Sequence, residues 1–167
     1  MSALSLWGRL APQELEIVKR ATASYPVRVA ELAQQLGLTV VRAPLPPNIS
    51  GLIQPSATAP AGFEIKVNKY EAPERQRFTV AHEIAHYLLH RDLIGAGVVD
   101  SVMYRSNLTS RNETEANRFA ADIVMPAEHV RAELTRTGGV ATSDAADTLA
   151  RIFKVSPPAM RIRLGIA

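Results

Sequence analysis

Apolar and polar positions along the chain fall into two textures. Up to residue 37, and again beyond residue 72, apolar side chains recur every three or four positions, the spacing of one helix face. In the first stretch Leu15, Val18 and Ala21 line one side with charged residues opposite, behind a Pro12 placed as a first helical residue. That pattern predicts a helix over 12–24 and a second over 27–36, which Gly37 ends by taking the left-handed position. From 38 to 69 the texture is β-branched and broken by turn formers: Thr39-Val40-Val41, a loop with Pro44, Pro46, Pro47 and Asn48, then Gly51-Leu52-Ile53. Phe63, Ile65 and Val67 alternate with Glu64, Lys66 and Asn68, the period of two of a strand with one buried face. A small sheet of about three strands is expected.

Helical spacing returns at Pro73, which opens a helix running to His90 with Phe78, Ala81, Ala85 and Leu88 or Leu89 on its apolar side. Residues 92–110 carry two glycines and no periodicity, the signature of a long functional loop. A helix over 112–125 follows, with Ala116, Phe119, Ala120 and Ile123 on one face and Pro126 as its stop. Shorter helices are expected over 127–136, over 143–153 after Gly138-Gly139, and over 158–164. The order of elements implies an α+β architecture in which a three-stranded sheet packs with a helical bundle. One domain over 1–167 accommodates it: a helical pair to residue 37, the sheet over 38–69, two long helices over 70–126 and terminal helices over 127–167.

Composition narrows the chemistry. The chain has 167 residues, 47% hydrophobic and 21% charged, ample for a buried core. It has no cysteine, which excludes disulfides, thiolate catalysis, iron–sulfur clusters and every cysteine-based zinc site. Any metal must therefore sit on nitrogen and oxygen. The formal net charge is +3, and Arg151, Lys154, Arg161 and Arg163 stand in a tail without acidic residues. Four charges spread in this way fall short of a nucleic-acid-binding stripe, so direct contact with nucleic acid is not expected. No apolar run approaches the roughly 20 residues needed to cross a bilayer, and the opening residues lack a basic start and sustained apolar stretch. The expectation is a cytoplasmic protein without a membrane partner.

His82-Glu83-Ile84-Ala85-His86 is an HExxH sequence. Residues four apart on a helix project from one face a turn apart, so two imidazoles can converge on one divalent ion. Glu83 stands about 100° round the helix and is suited to take a proton from water that the ion acidifies. A catalytic zinc needs a third protein ligand and an open position. His90 would lie about 6 Å beyond His86 and about 12 Å beyond His82 along a continuing helix, too far for all three to share one ion. The metzincin pattern would need glycine at position 89 and histidine at 92, where Leu89 and Asp92 stand. Asp92 is thus a poor third ligand without being excluded, and a carboxylate from the 112–125 helix is the better one. Glu113 and Glu115 both flank its apolar face, and periodicity does not choose between them.

Residues 65–68 (Ile-Lys-Val-Asn), 73–86 around the HExxH sequence, and 113–126, ending Ile123-Val124-Met125-Pro126, resemble the ImmA/IrrE family of metallopeptidases. The resemblance implies a zincin-like fold and a gluzincin-like site with His82, His86 and Glu113 as zinc ligands and Glu83 as general base. Manganese or another divalent ion also suits such ligands. It further implies a helix-turn-helix transcriptional repressor as substrate, and a place in transcriptional regulation or stress response. Asn117, one turn beyond Glu113, falls where related enzymes carry a carboxylate supporting a ligand histidine. Glu115 is then a surface or substrate-side carboxylate, His90 a helix-end or pocket-rim residue and His129 a surface residue. Tyr87, Tyr104 and Arg105 are candidates for steadying an oxyanion or contacting substrate. The strand over 63–68 is a candidate to pair with an extended substrate.

Two stretches, 29–38 and 149–156, read as a helix followed by a tight turn; a β-branched run follows the first, and two prolines and a short Met160-Arg161-Ile162-Arg163 helix follow the second, so packing helices are the better reading, more clearly for the first. Two competing functions remain on this reading. One is a DNA-binding regulator with a structural metal, and the other a protein that binds a repressor without cutting it.

Overall fold

The computed structural model describes residues 6–94 and 110–166. Two short helices, α1 (Pro12–Ala21) and α2 (Val29–Gln35), lead into strands β1 (Thr39–Ala43), β2 (Gly51–Pro55) and β3 (Phe63–Asn68). Helix α3 (Pro73–Leu89) follows, then a single turn α4 (Arg91–Ile94), α5 (Ser110–Val124), α6 (Ala127–Arg136), α7 (Ser143–Phe153) and α8 (Pro157–Leu164). The architecture is α+β, with the expected helices displaced by no more than a few residues at their ends. Gly37 does close α2 at φ +83°, where an added Cβ would stand 3.0 Å from that of Ala61.

The sheet runs in the order β1-β3-β2, with β3 parallel to β1 and antiparallel to β2. Strand β3 is therefore central, paired on both sides, and is not available to add a substrate strand. Ile65 and Val67 point into the core while Glu64 and Lys66 stay partly wet, as the alternation predicts. Asn68 departs from it. Its amide is buried and donates to the carbonyls of Leu45, Pro46 and Ile49, pinning the proline-rich loop between β1 and β2.

Helix α3 is the centre of the molecule. Sequence spacing gives it one apolar side, but every residue from Thr79 to Leu88 is buried. The reason is tertiary: α5 packs along it more extensively than any other element, while β2, β3 and α2 cover the rest. Arg77 adds a polar clamp, its guanidinium donating to the carbonyls of Val27, Phe153 and Lys154 and so tying α7 and the start of α2 to α3.

Only the second of the two helix-and-turn stretches, 149–156, is followed directly by another helix. Helix α2 runs into β1. Helices α7 and α8 are joined by a turn with Lys154 left-handed and Ser156 capping α8. Arg161 pairs with Asp147 at 3.3 Å and Arg163 with Asp122 at 2.9 Å, so half of the basic tail is neutralised within the fold. No helix among the described residues is long and apolar enough to cross a membrane.

Strand β2 reaches α3 through Gly51, where an added Cβ would lie 2.4 Å from Thr79 Cγ2 and 2.7 Å from the Lys66 carbonyl oxygen. The second contact is backbone and cannot yield cheaply. Gly51→Ala is expected to lower unfolding stability by about 1–3 kcal/mol in a urea titration, the usual cost of overpacking.

Candidate metal centre

Helix geometry places His82 and His86 one turn apart, and the packing of α5 brings Glu113 to them from its first turn. The two Nε2 atoms are 3.1 Å apart, with the rings edge to face. Glu113 Oε2 lies 3.3 Å from His82 Nε2 and Oε1 lies 2.9 Å from His86 Nε2. Four ligands at 2.0–2.2 Å round a tetrahedral ion are separated by about 3.4 Å. The three donors are thus spaced almost as one ion requires, and two imidazoles with a carboxylate are a donor set that divalent transition ions accept. Hydrogen bonding from His82 and His86 holds the Glu113 carboxyl well below the usual carboxylate range despite burial, so it is anionic at neutral pH.

The cluster is closed on one side and open on the other. His86 and Glu83 are fully buried, whereas the side chain of Glu113 is 36% exposed and His82 borders a groove of about 490 Å³. The groove runs between β2 and α3, with Ile49, Ser50, Leu52, Phe78 and Arg75 on its walls. Arg75 and Glu71 both engage the Ser50 hydroxyl, bracing one lip. Of the three donors, His82 lines this trough.

Asn117 is exposed on the groove beside His82, and His90 Nδ1 lies within hydrogen-bond distance of the other nitrogen of His86. Glu115 is not a surface carboxylate: it is 8% exposed, accepts from His90 and pairs with Arg9. His90 is likewise interior rather than on a rim, since the end of α3 is covered by α5 and by the turn carrying Arg9. Tyr87 does not line the groove. Its ring meets Phe63 and lies under the Arg91 guanidinium, and burial raises its hydroxyl pKa. His129 is half-buried against Tyr25 and contacts the Thr22 carbonyl. Tyr104 and Arg105 lie outside the described residues.

The set His86, His90, Glu115 and Arg9 is what sequence reasoning missed. Its trace was present as a third histidine four residues after His86 and a second glutamate two after Glu113. Arg9, more than 100 residues from Glu115, left no local sign.

Comparison with known proteins adds three findings. The profile of a peptidase family described as the IrrE N-terminal-like domain (M78) matches residues 33–165. The radiation response metalloprotease IrrE of Deinococcus deserti is 40% identical over 97 residues, covering 58% of this chain and 34% of that protein. A Mycobacterium tuberculosis transcriptional regulator superposes with a TM-score of 0.59 at 17% identity, covering 99% of this chain and 52% of its own. The chain thus spans about a third of the curated relative and half of the solved one, and the second likeness is one of fold.

Removing a donor tests the cluster directly. His86→Ala is expected to weaken divalent-ion binding by more than about 100-fold in a chelator competition, beyond the roughly 10–100-fold cost of losing an outer partner. Glu113→Gln, which keeps shape but loses the anion, is expected to weaken it by at least about tenfold.

Proposed function

Because the chain belongs to the IrrE N-terminal-like domain family of M78 peptidases, we propose that it is a zinc-dependent endopeptidase acting in the cytoplasm on a helix-turn-helix transcriptional repressor. The observation that carries this reading is the convergence of His82, His86 and Glu113, from two helices, beside a groove. In it these three residues hold the ion, and the open side at His82 and Glu113 receives the substrate. A divalent ion there supplies Lewis acidity, lowering the pKa of water in the site and polarising the peptide carbonyl.

The chain's own residues do the remainder. Glu83, one position after His82 and fully buried, is the general base: it takes the proton of the attacking water and returns it to the departing amine. Its burial keeps bulk water away from the carboxyl. Phe78 and Leu52 give the groove apolar walls, and with β3 enclosed in the sheet, the substrate chain lies between β2 and α3. Manganese remains compatible with the nitrogen and oxygen donors. The name of the Deinococcus relative, a radiation response metalloprotease, supports a place in stress-induced regulation.

The regulator alternative is disfavoured by the pairing of Arg161 and Arg163 with acidic partners, which halves the basic charge the tail can offer to a duplex. The non-cleaving alternative retains the groove and differs in outcome alone.

Glu83→Gln separates these functions. The variant is expected to bind zinc as the wild type does, while cleavage of a purified repressor from an adjacent reading frame falls by about 10²–10⁴-fold on a gel time course. Unchanged cleavage would refute the base. An intact repressor held in a stable complex by zinc-loaded wild type would identify a sequestering protein, and duplex binding with a steep salt dependence a regulator.

A further inference from the structure

We propose that His90 is a positioning residue that, together with Glu115 and Arg9, fixes the ring and the proton of His86 so that its Nε2 is presented bare to the ion. This inference rests on the metal-binding reading of His86 given above. Its starting point is a line of buried contacts behind the donor cluster. His86 Nδ1 lies 3.0 Å from His90 Nδ1, His90 Nε2 lies 2.9 Å from Glu115 Oε1, and Arg9 Nη1 lies 2.9 Å from Glu115 Oε2. Both histidines are within the core, at 0% and 4% exposure. Arg9 also reaches the Leu89 carbonyl, so the same side chain fastens the end of α3.

Donor and acceptor roles along this line are not free. A carboxylate facing Arg9 can only accept, so the hydrogen between His90 and Glu115 belongs to His90 Nε2. An imidazole that gives its Nε2 lone pair to an ion carries its proton on Nδ1. His86 Nδ1 is then the donor and His90 Nδ1 the acceptor, which leaves His90 neutral with a single proton. One assignment satisfies both ends. Reversing the line would place a proton on His86 Nε2, where the ion must sit. The arrangement performs the task that a carboxylate performs when it supports a ligand histidine directly, but at one remove: the negative charge of Glu115 reaches His86 through a second imidazole.

Glu113 and Glu115, two residues apart on α5, thereby divide the work. Glu113 meets the Nε2 side of the histidines and Glu115 the rear. At the rear, Glu115 Oε2 faces Arg9 at 2.9 Å and Arg111 at 3.8 Å, and Arg9 lies ahead of the family-matched span.

The test compares wild type, His90→Leu, His90→Gln and Glu115→Gln at one fixed pH. Zinc affinity is read by competition with a chromophoric chelator, folding by thermal melts of the metal-free proteins, and the His86 Nδ1 proton by NMR of the zinc-loaded proteins. His90→Leu is expected to weaken zinc binding by about 10–100-fold and to lose the slowly exchanging Nδ1 proton signal present in wild type. His90→Gln, whose amide still offers an acceptor and a donor, is expected to recover most of the affinity. Glu115→Gln keeps an acceptor without the charge and is expected to fall between. Folded His90→Leu with wild-type affinity and an unchanged Nδ1 proton would overturn the proposal. If that variant does not fold, wild-type affinity and an unchanged proton in Glu115→Gln would overturn it equally. Wild-type protein that takes up no zinc would sink the metal reading itself, a result distinct from uptake to which the variants are indifferent.

Discussion

Three donor atoms from two helices stand within about hydrogen-bond distance of one another at the edge of the core, and that spacing depends on how closely α3 and α5 approach. Ala81 and Ala85 on α3 and Ala116 and Ala120 on α5 are all fully buried, so both helices carry small residues in the core. Helix separation follows the side chains at the contact. Ile84, Phe119 and Ile123, also fully buried, supply the apolar contact around the cluster that offsets the desolvation of its polar atoms.

Burying His82, Glu83, His86, His90 and Glu115 in one region is costly unless their hydrogen-bonding groups are partnered. The line from His86 to Arg9 carries part of that demand from the centre of the molecule to its surface. It also gives the N-terminal segment a role beyond covering the core. Arg9 and the Glu14–Arg91 ion pair both hold the C-terminal end of α3, the end opposite the groove wall formed by Arg75 and Phe78. A helix fixed at both ends keeps its two imidazoles in register, which a site assembled from separate elements needs.

The groove is built from the same few parts. One wall is α3 and the other is β2 with the loop before it, held down by the buried Asn68 amide and braced by Glu71 and Arg75 through Ser50. The close contact at Gly51 sets their separation on the sheet side. Core packing and site geometry are therefore one problem here, with α3 common to both.

Local patterning sufficed for the helices, the three strands, the Gly37 stop and the pairing of His82 with His86. Each of these depends on neighbours within one turn or one strand, and backbone periodicity transmits such information directly. Glu113 and Glu115 were equivalent by that measure, two acidic residues flanking one apolar face, and only a family likeness separated them. Packing distinguished them physically, because α5 can present one carboxylate to the open side of the cluster and the other to the rear only once it lies along α3. The same holds for the burial of α3 on every face, for β3 between its two neighbours, and for Arg9 behind His90. These are contacts between segments distant in the chain, and nothing in the spacing of a single segment encodes the partner that will cover it.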